Sequence, residues 1–365
     1  MAQLKTMVNM LKKTRRMFPI ARPIARPIAR PIARPITRPI TQLCGCWLGI
    51  VIGCTLPSAG HLSPALAVEP QSDQPVQSAR VIVPSGGVSP SSSLERPVAE
   101  VLQQLAQAQV VYLGEVHDSE ADHQAQRFIL EQLHRQRPRL TIAMEMFQRP
   151  FQSILDRYLQ GKISEQTLLD STQYQKRWGF PWRFYQPIVQ FAKQHQLPVV
   201  ALNAPSEVVR QVGRKGLDRL KLTDRRFIPP LSAIRLEPDS YRQRLQQLYN
   251  DMHQGKGNSQ QFDRFFQAQV LWDETMAERI SQLVQAHPDR LVVVLVGQGH
   301  VTYGEGIPQR VARRLRDRFP KLAQFTLLLN PSPDLQAPTT EAPPIADFFW
   351  IQPLPPSATP APASP

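Results

Sequence analysis

The sequence predicts an α/β fold: a mostly parallel sheet flanked by helices, with a helical cap insertion. Three observations carry this expectation. Two continuous apolar runs, 110–113 (Val-Val-Tyr-Leu) and 291–296 (Leu-Val-Val-Val-Leu-Val), have the length of parallel strands buried on both faces. Further strand-like runs alternate with segments of helical period, as in a sheet covered on both sides. The stretch 207–286 is helical throughout and lacks any strand signal, so it reads as a cap beside the sheet.

Taken along the chain, residues 1–53 come first and hold ten basic side chains and no acidic ones. Removing them from the formal charge of +14 leaves +4 for the rest, so the basicity belongs mainly to this leader. A nucleic-acid partner loses its main support thereby. The leader repeats Ala-Arg-Pro-Ile four times and Thr-Arg-Pro-Ile once, and proline at every fourth residue excludes a helix there. An eleven-residue apolar run, 43–53, then has the length of a signal-peptide core. Val51-Ile52-Gly53-Cys54 resembles a bacterial lipobox, which predicts an exported cell-envelope protein tethered to the membrane by lipid at Cys54. The competing cut is Ala65-Leu66-Ala67, which would leave a free periplasmic protein. All three cysteines (Cys44, Cys46, Cys54) lie in the leader, so the remaining chain uses neither disulfides nor thiol chemistry.

Residues 54–97, rich in Pro and Ser, read as a flexible tether, and 354–365 as a disordered Pro/Ala tail. Between them, 98–353 forms one domain. Strands are expected at 109–113, 140–146, 197–202, 290–296 and 325–329, with 348–351 at an edge. Helices are expected at 120–136, 148–160, 182–195, 205–213, 240–254, 259–286 and 307–318.

Chemistry gathers where strands end, because ligands of open α/β sheets sit beyond the carboxyl ends of the strands. The first run leads into Gly114-Glu115-Val116-His117 and the second into Gly297-Gln298-Gly299-His300, each Gly allowing a sharp exit from the sheet. Glu145 closes a third run and Asn203 a fourth. A carboxylate inside Ile-Ala-Met-Glu-Met-Phe needs a partner, a metal or a shifted pKa, the alternative being a cap on the following helix. Together Glu115, His117, Glu145 and His300 suit either a divalent metal held by His117, Glu145 and His300 or a general acid–base pair in a hydrolase; the alternative for each His is a structural role at a tight turn. His123 is either a second support or an exposed helical residue. In 259–286, Gln269 and Asp273 fall on an apolar stripe of Phe262, Phe266, Val270, Met276, Ile280 and Val284, where they would anchor the histidines or lie just outside it. Finally, 172–187 is aromatic and basic. Tyr174, Tyr185, Lys176, Arg177 and Trp178 suit a flat anion such as haem, the alternative being loop packing around Gly-Phe-Pro-Trp.

These residues resemble a known group. Leu-Gly-Glu-Val-His117, Glu145, Asn203, Trp272-Asp273-Glu274-Thr275-Met276-Ala277 and Val-Gly-Gln-Gly-His300 are similar to the ChaN haem-binding uptake family, related to the TIKI/TraB proteins and erythromycin esterases. The resemblance spans about 98–352. It implies an α/β fold, lipoprotein export, iron uptake, and haem held by a tyrosine at a homodimer interface. In the enzymatic relatives it implies hydrolysis by the paired His and Glu positions. The haem tyrosine has no assigned position; Tyr174 and Tyr185 are candidates by their company, with Tyr303 beyond them.

Overall fold

The computed structural model describes residues 78–84, 94–253, 258–336 and 344–353. The leader, Cys54, the Ala67 cut and the 354–365 tail lie outside them. Eight strands form one sheet: β1 (Arg80–Val83), β2 (Leu94–Arg96), β3 (Val110–Glu115), β4 (Leu140–Gln148), β5 (Val199–Asn203), β6 (Leu291–Gly297), β7 (Gln324–Leu329) and β8 (Phe348–Ile351). Their order is β2-β1-β8-β7-β3-β6-β4-β5, parallel from β8 to β5. The expected α/β architecture is therefore present.

Successive residues of β3 enter opposite cores, as the two-residue period of a strand requires. Val111 and Leu113 join one apolar cluster, Val110 and Tyr112 the other. Every residue of β3 and β6 is buried. A run that must satisfy two cores cannot alternate with polar residues, which explains its unbroken apolar sequence.

Helices cover both faces. One face carries α1 (Val98–Ala106) and α2 (Glu120–Gln136); the latter is capped by the Ser119 hydroxyl, which accepts from the Asp122 N–H. From α3 (Gln152–Leu159), α4 (Glu165–Ser171), α5 (Tyr174–Arg177) and α6 (Gln186–Gln194), side chains join the same cluster. Between β5 and β6 come α7 (Ser206–Lys215), α8 (Asp239–Met252) and α9 (Ser259–Ala286). They share their own apolar core of Val208, Val212, Tyr241, Leu245, Phe262 and Phe266, so the insertion is a true cap. The second half of α9 (Met276, Ile280, Val284) packs on the sheet beside α10 (Ile307–Leu315).

Three expectations need correction. Two strands, β1 and β2, lie inside the 54–97 stretch read as a tether; four and three residues among Pro and Ser are too short to show a period. Strand β8 is not an edge, because β1 pairs with its outer side in antiparallel register. Gly114 lies within β3, not at a turn. A Cβ there would meet Leu328 Cδ2 at 2.8 Å, so the glycine permits close packing.

Candidate functional site

The carboxyl ends of β3, β4 and β6, three neighbouring strands, form one crevice. Along β3, Glu115 follows Val111 and Leu113 on the α2 side. Along β4, Glu145 follows Ala143 on the α9 side. The two carboxylates thus leave opposite faces of the sheet and meet only past its edge.

Each brings a histidine. The His117 Nδ1 lies 2.7 Å from Glu115 Oε1, which also accepts from the Tyr185 hydroxyl at 2.7 Å. The other oxygen, Oε2, accepts from Gln126 Nε2 at 2.5 Å, with His123 Nδ1 3.6 Å away. His300 Nδ1 lies 2.6 Å from Asp273 Oδ1, and its Nε2 lies 3.5 Å from Glu145 Oε1. Asp273 Oδ2 accepts from the Tyr241 hydroxyl at 2.6 Å, and Gln269 Nε2 stands 3.2 Å from His300 Nδ1. The Gly297 N–H donates to Glu145 Oε2 at 2.8 Å, and Asn203 Nδ2 to the Glu145 carbonyl at 3.0 Å. So Glu145 bonds across to β6 and does not cap a helix. Gly306 is required nearby, since a Cβ there would stand 2.1 Å from the His300 carbonyl oxygen.

Asp273 and Gln269 do reach His300, as their place on the apolar stripe suggested. His123 is buried, stacked on Phe184 at 4.9 Å, with Nε2 3.2 Å from the His117 carbonyl. Tyr185, Gln126 and Tyr241 went unseen as partners in the sequence, because nothing local marks a contact formed across 70, 11 or 32 positions.

The electrostatics are those of two buried ion pairs. Burial alone would push His300 down, but Glu145 and Asp273 override it and hold its pKa at about 10. Burial alone would raise Glu145, but His300 and His117 hold it at about 2. His117 is raised in the same way: burial lowers it, and its bond to Glu115 and the field of Glu145 more than compensate.

The donor set does not fit a metal. Both ring nitrogens of His300 face carboxylates, and His117 Nδ1 is occupied by Glu115. A ring held protonated by its partners has no lone pair for a cation. Among the described residues no group of three or more His, Cys, Asp or Glu is arranged to hold a metal ion.

The aromatic–basic segment forms a wall of this crevice. Tyr174 and Tyr185 are buried, and Trp178 sets its edge on His117 at 4.7 Å. Arg177 is committed to Gln148, Ser206 and Glu207, while Lys176 is exposed. Tyr174 and Tyr185, 3% and 0% exposed, present no phenol at the surface. Six of the seven tyrosines are buried, and Tyr303 alone is half-buried. It stands three residues past His300 with φ +57°, and the Arg244 guanidinium lies 3.9 Å from its ring centroid. Arg244 also pairs with Glu305, its Nε donating to Oε2 at 2.8 Å, and a half-buried phenol beside this pair suits an anionic, iron-bearing macrocycle.

A family model described as haem-binding uptake, Tiki superfamily, ChaN matches residues 101–311. Among solved structures, ChaN of Campylobacter jejuni, which binds haem cofacially, superposes with a TM-score of 0.57 at 18% identity, over 75% of this chain and 97% of that one. Among curated proteins, the chloroplastic Protein RETICULATA-RELATED 5 of Arabidopsis thaliana is 26% identical over 263 residues, 68% of this chain. The chain spans only 35% of that relative's length. A chloroplastic relative points away from a bacterial envelope lipoprotein, so the expectation of export and anchoring at Cys54, or release at Ala67, is corrected. Among the described residues no helix is long and apolar enough to cross a membrane.

Proposed function

Because the chain belongs to the ChaN haem-binding uptake family of the Tiki superfamily, we propose that it binds haem at the surface around Tyr303, with the phenol as axial ligand and Arg244 supplying positive charge. The observation that carries this reading is accessibility: Tyr303 is half-buried, whereas each of the other tyrosines is at most 4% exposed. When bound, haem would supply the iron. The chain's own residues orient the phenol and balance the macrocycle's negative charge. A second copy of the chain closing over the same face, and a part in haem or iron uptake, belong to this proposal.

Hydrolysis is the alternative reading of the same crevice, in which Glu145, held low, and His300, held high by Glu145 and Asp273, form a buried ion pair 3.5 Å apart.

The full chain titrated with haemin is expected to give a saturable Soret band. Tyr303→Phe should shift the band and weaken binding by about tenfold or more, or roughly 1.4 kcal/mol, whereas Tyr174→Phe and Tyr185→Phe should keep the parent spectrum. An unchanged band in Tyr303→Phe would move the ligand elsewhere, and no haemin binding at micromolar protein would remove the proposal.

A further inference from the structure

Away from the crevice, α10 and the segment after it border a cavity of about 370 Å³. Arg310, Arg313 and Arg316 line it, together with Phe319 and Leu322, and Glu237 is the one carboxylate in the lining. The charges there do not balance. Arg310, Arg313 and Arg314 all converge on a single buried acid, Glu274, at 3.5, 2.7 and 2.6 Å. Arg316 is exposed and forms no ion pair among the described residues.

Arg310 is only 1% exposed, and its Nε faces Glu274 Oε1 at 3.5 Å. Its remaining nitrogens are spent on the carbonyls of Glu305, Gly306 and Glu237.

We propose that this cavity binds a small organic anion, a carboxylate or phosphate ester carried on an apolar, ring-sized body. Guanidinium forks match the planar oxygens of such head groups and pair with them strongly. Phe319 and Leu322 supply apolar contact for the body. The volume sits near the lower end of small-molecule pockets, which run to roughly 300–1,000 Å³. This site lies apart from Tyr303 and does not depend on haem binding.

The test is calorimetric titration of the full chain with phenyl phosphate, benzoate and inorganic phosphate. At least one of the aromatic anions should bind saturably at millimolar concentration or better, and inorganic phosphate more weakly. Preference for phenyl phosphate would assign a phosphate ester, and preference for benzoate a carboxylate. Arg316→Glu should weaken binding at least tenfold while keeping the parent melting temperature and the parent haemin titration. Absence of binding by either aromatic anion, or unchanged binding in Arg316→Glu, overturns the proposal. Inorganic phosphate binding as tightly as phenyl phosphate would do the same, since the apolar wall would then contribute nothing.

Discussion

Glu274→Gln is expected to destabilise the fold by about 3–5 kcal/mol, the usual result of removing one partner from a buried charge network. Glu274 is fully buried and accepts from Arg313 at 2.7 and 2.8 Å, Arg314 at 2.6 Å and the Arg235 N–H at 3.0 Å. Glutamine keeps the shape and one acceptor oxygen but abandons the charge. Three guanidinium groups then face one another, and the side chains of Arg310 and Arg314 are too buried for water to screen them. At roughly 2–4 °C per kcal/mol for a domain of this size, the melting temperature should fall by about 6–20 °C. Calorimetry of parent and variant measures it, and a drop under about 2 °C would show that the network adds nothing. The exposed pair Arg80–Glu95 is the control. Glu95→Gln should move the melting point little, because water already screens both groups.

The second large effect is a loss of stability in alkali. The folded chain holds the His300 proton up to about pH 10, whereas an unfolded histidine releases it near the ordinary 6.5. Between those values the folded state binds the extra proton, so stability falls as pH rises. Asp122 acts in the same direction at lower pH. Burial raises its pKa to about 7 despite the Val116 N–H and Asn330 bonds, so the contribution of its proton is lost between about 3.8 and 7. Glu145 works the opposite way: ionised in the fold down to about pH 2, it contributes stability above 4.5 that is lost as pH falls. From these three groups, maximum stability should therefore lie near pH 4, with a continuing decline toward pH 9.5. The measurement is melting temperature across pH for the parent and for His300→Gln. The variant should be less stable at pH 5.5 and should show a flatter alkaline limb. A parent equally stable at pH 5.5 and 9.5 would contradict the proton assignment at His300.

What was readable in the sequence follows from where the determining interactions lie. The strands β3 to β8 announce themselves because burial on both faces demands unbroken apolar runs. The bounds of α2 and α9 are sharp because local residues set them, Ser119 and Asn258 each capping through their own side chains. By contrast, β1 is held in the sheet by β8, distant in the chain, and β2 only by β1, and no local period records either. The crevice divides in the same way. Glu115, His117, Glu145 and His300 stand at the ends of visible strands, and Asp273 betrays itself as an acid on an apolar stripe. Whether a tyrosine faces solvent or core is decided by tertiary packing, so the aromatic company of Tyr174 and Tyr185 pointed to a ligand surface when it marked an interior wall.

Helix α9 carries a consequence for how the chain tolerates change. Asp273 reaches His300 and Tyr241, while the very next residue, Glu274, reaches the arginines of α10. Consecutive helical residues point about 100° apart. A single insertion or deletion upstream within the helix would turn both acids by about 100° in the same sense, so that one takes the other's direction and the second faces neither network. The phase of all 28 residues is thus locked at mid-length by two adjacent acids, and length variation in the cap has to be absorbed in the loops on either side of this helix.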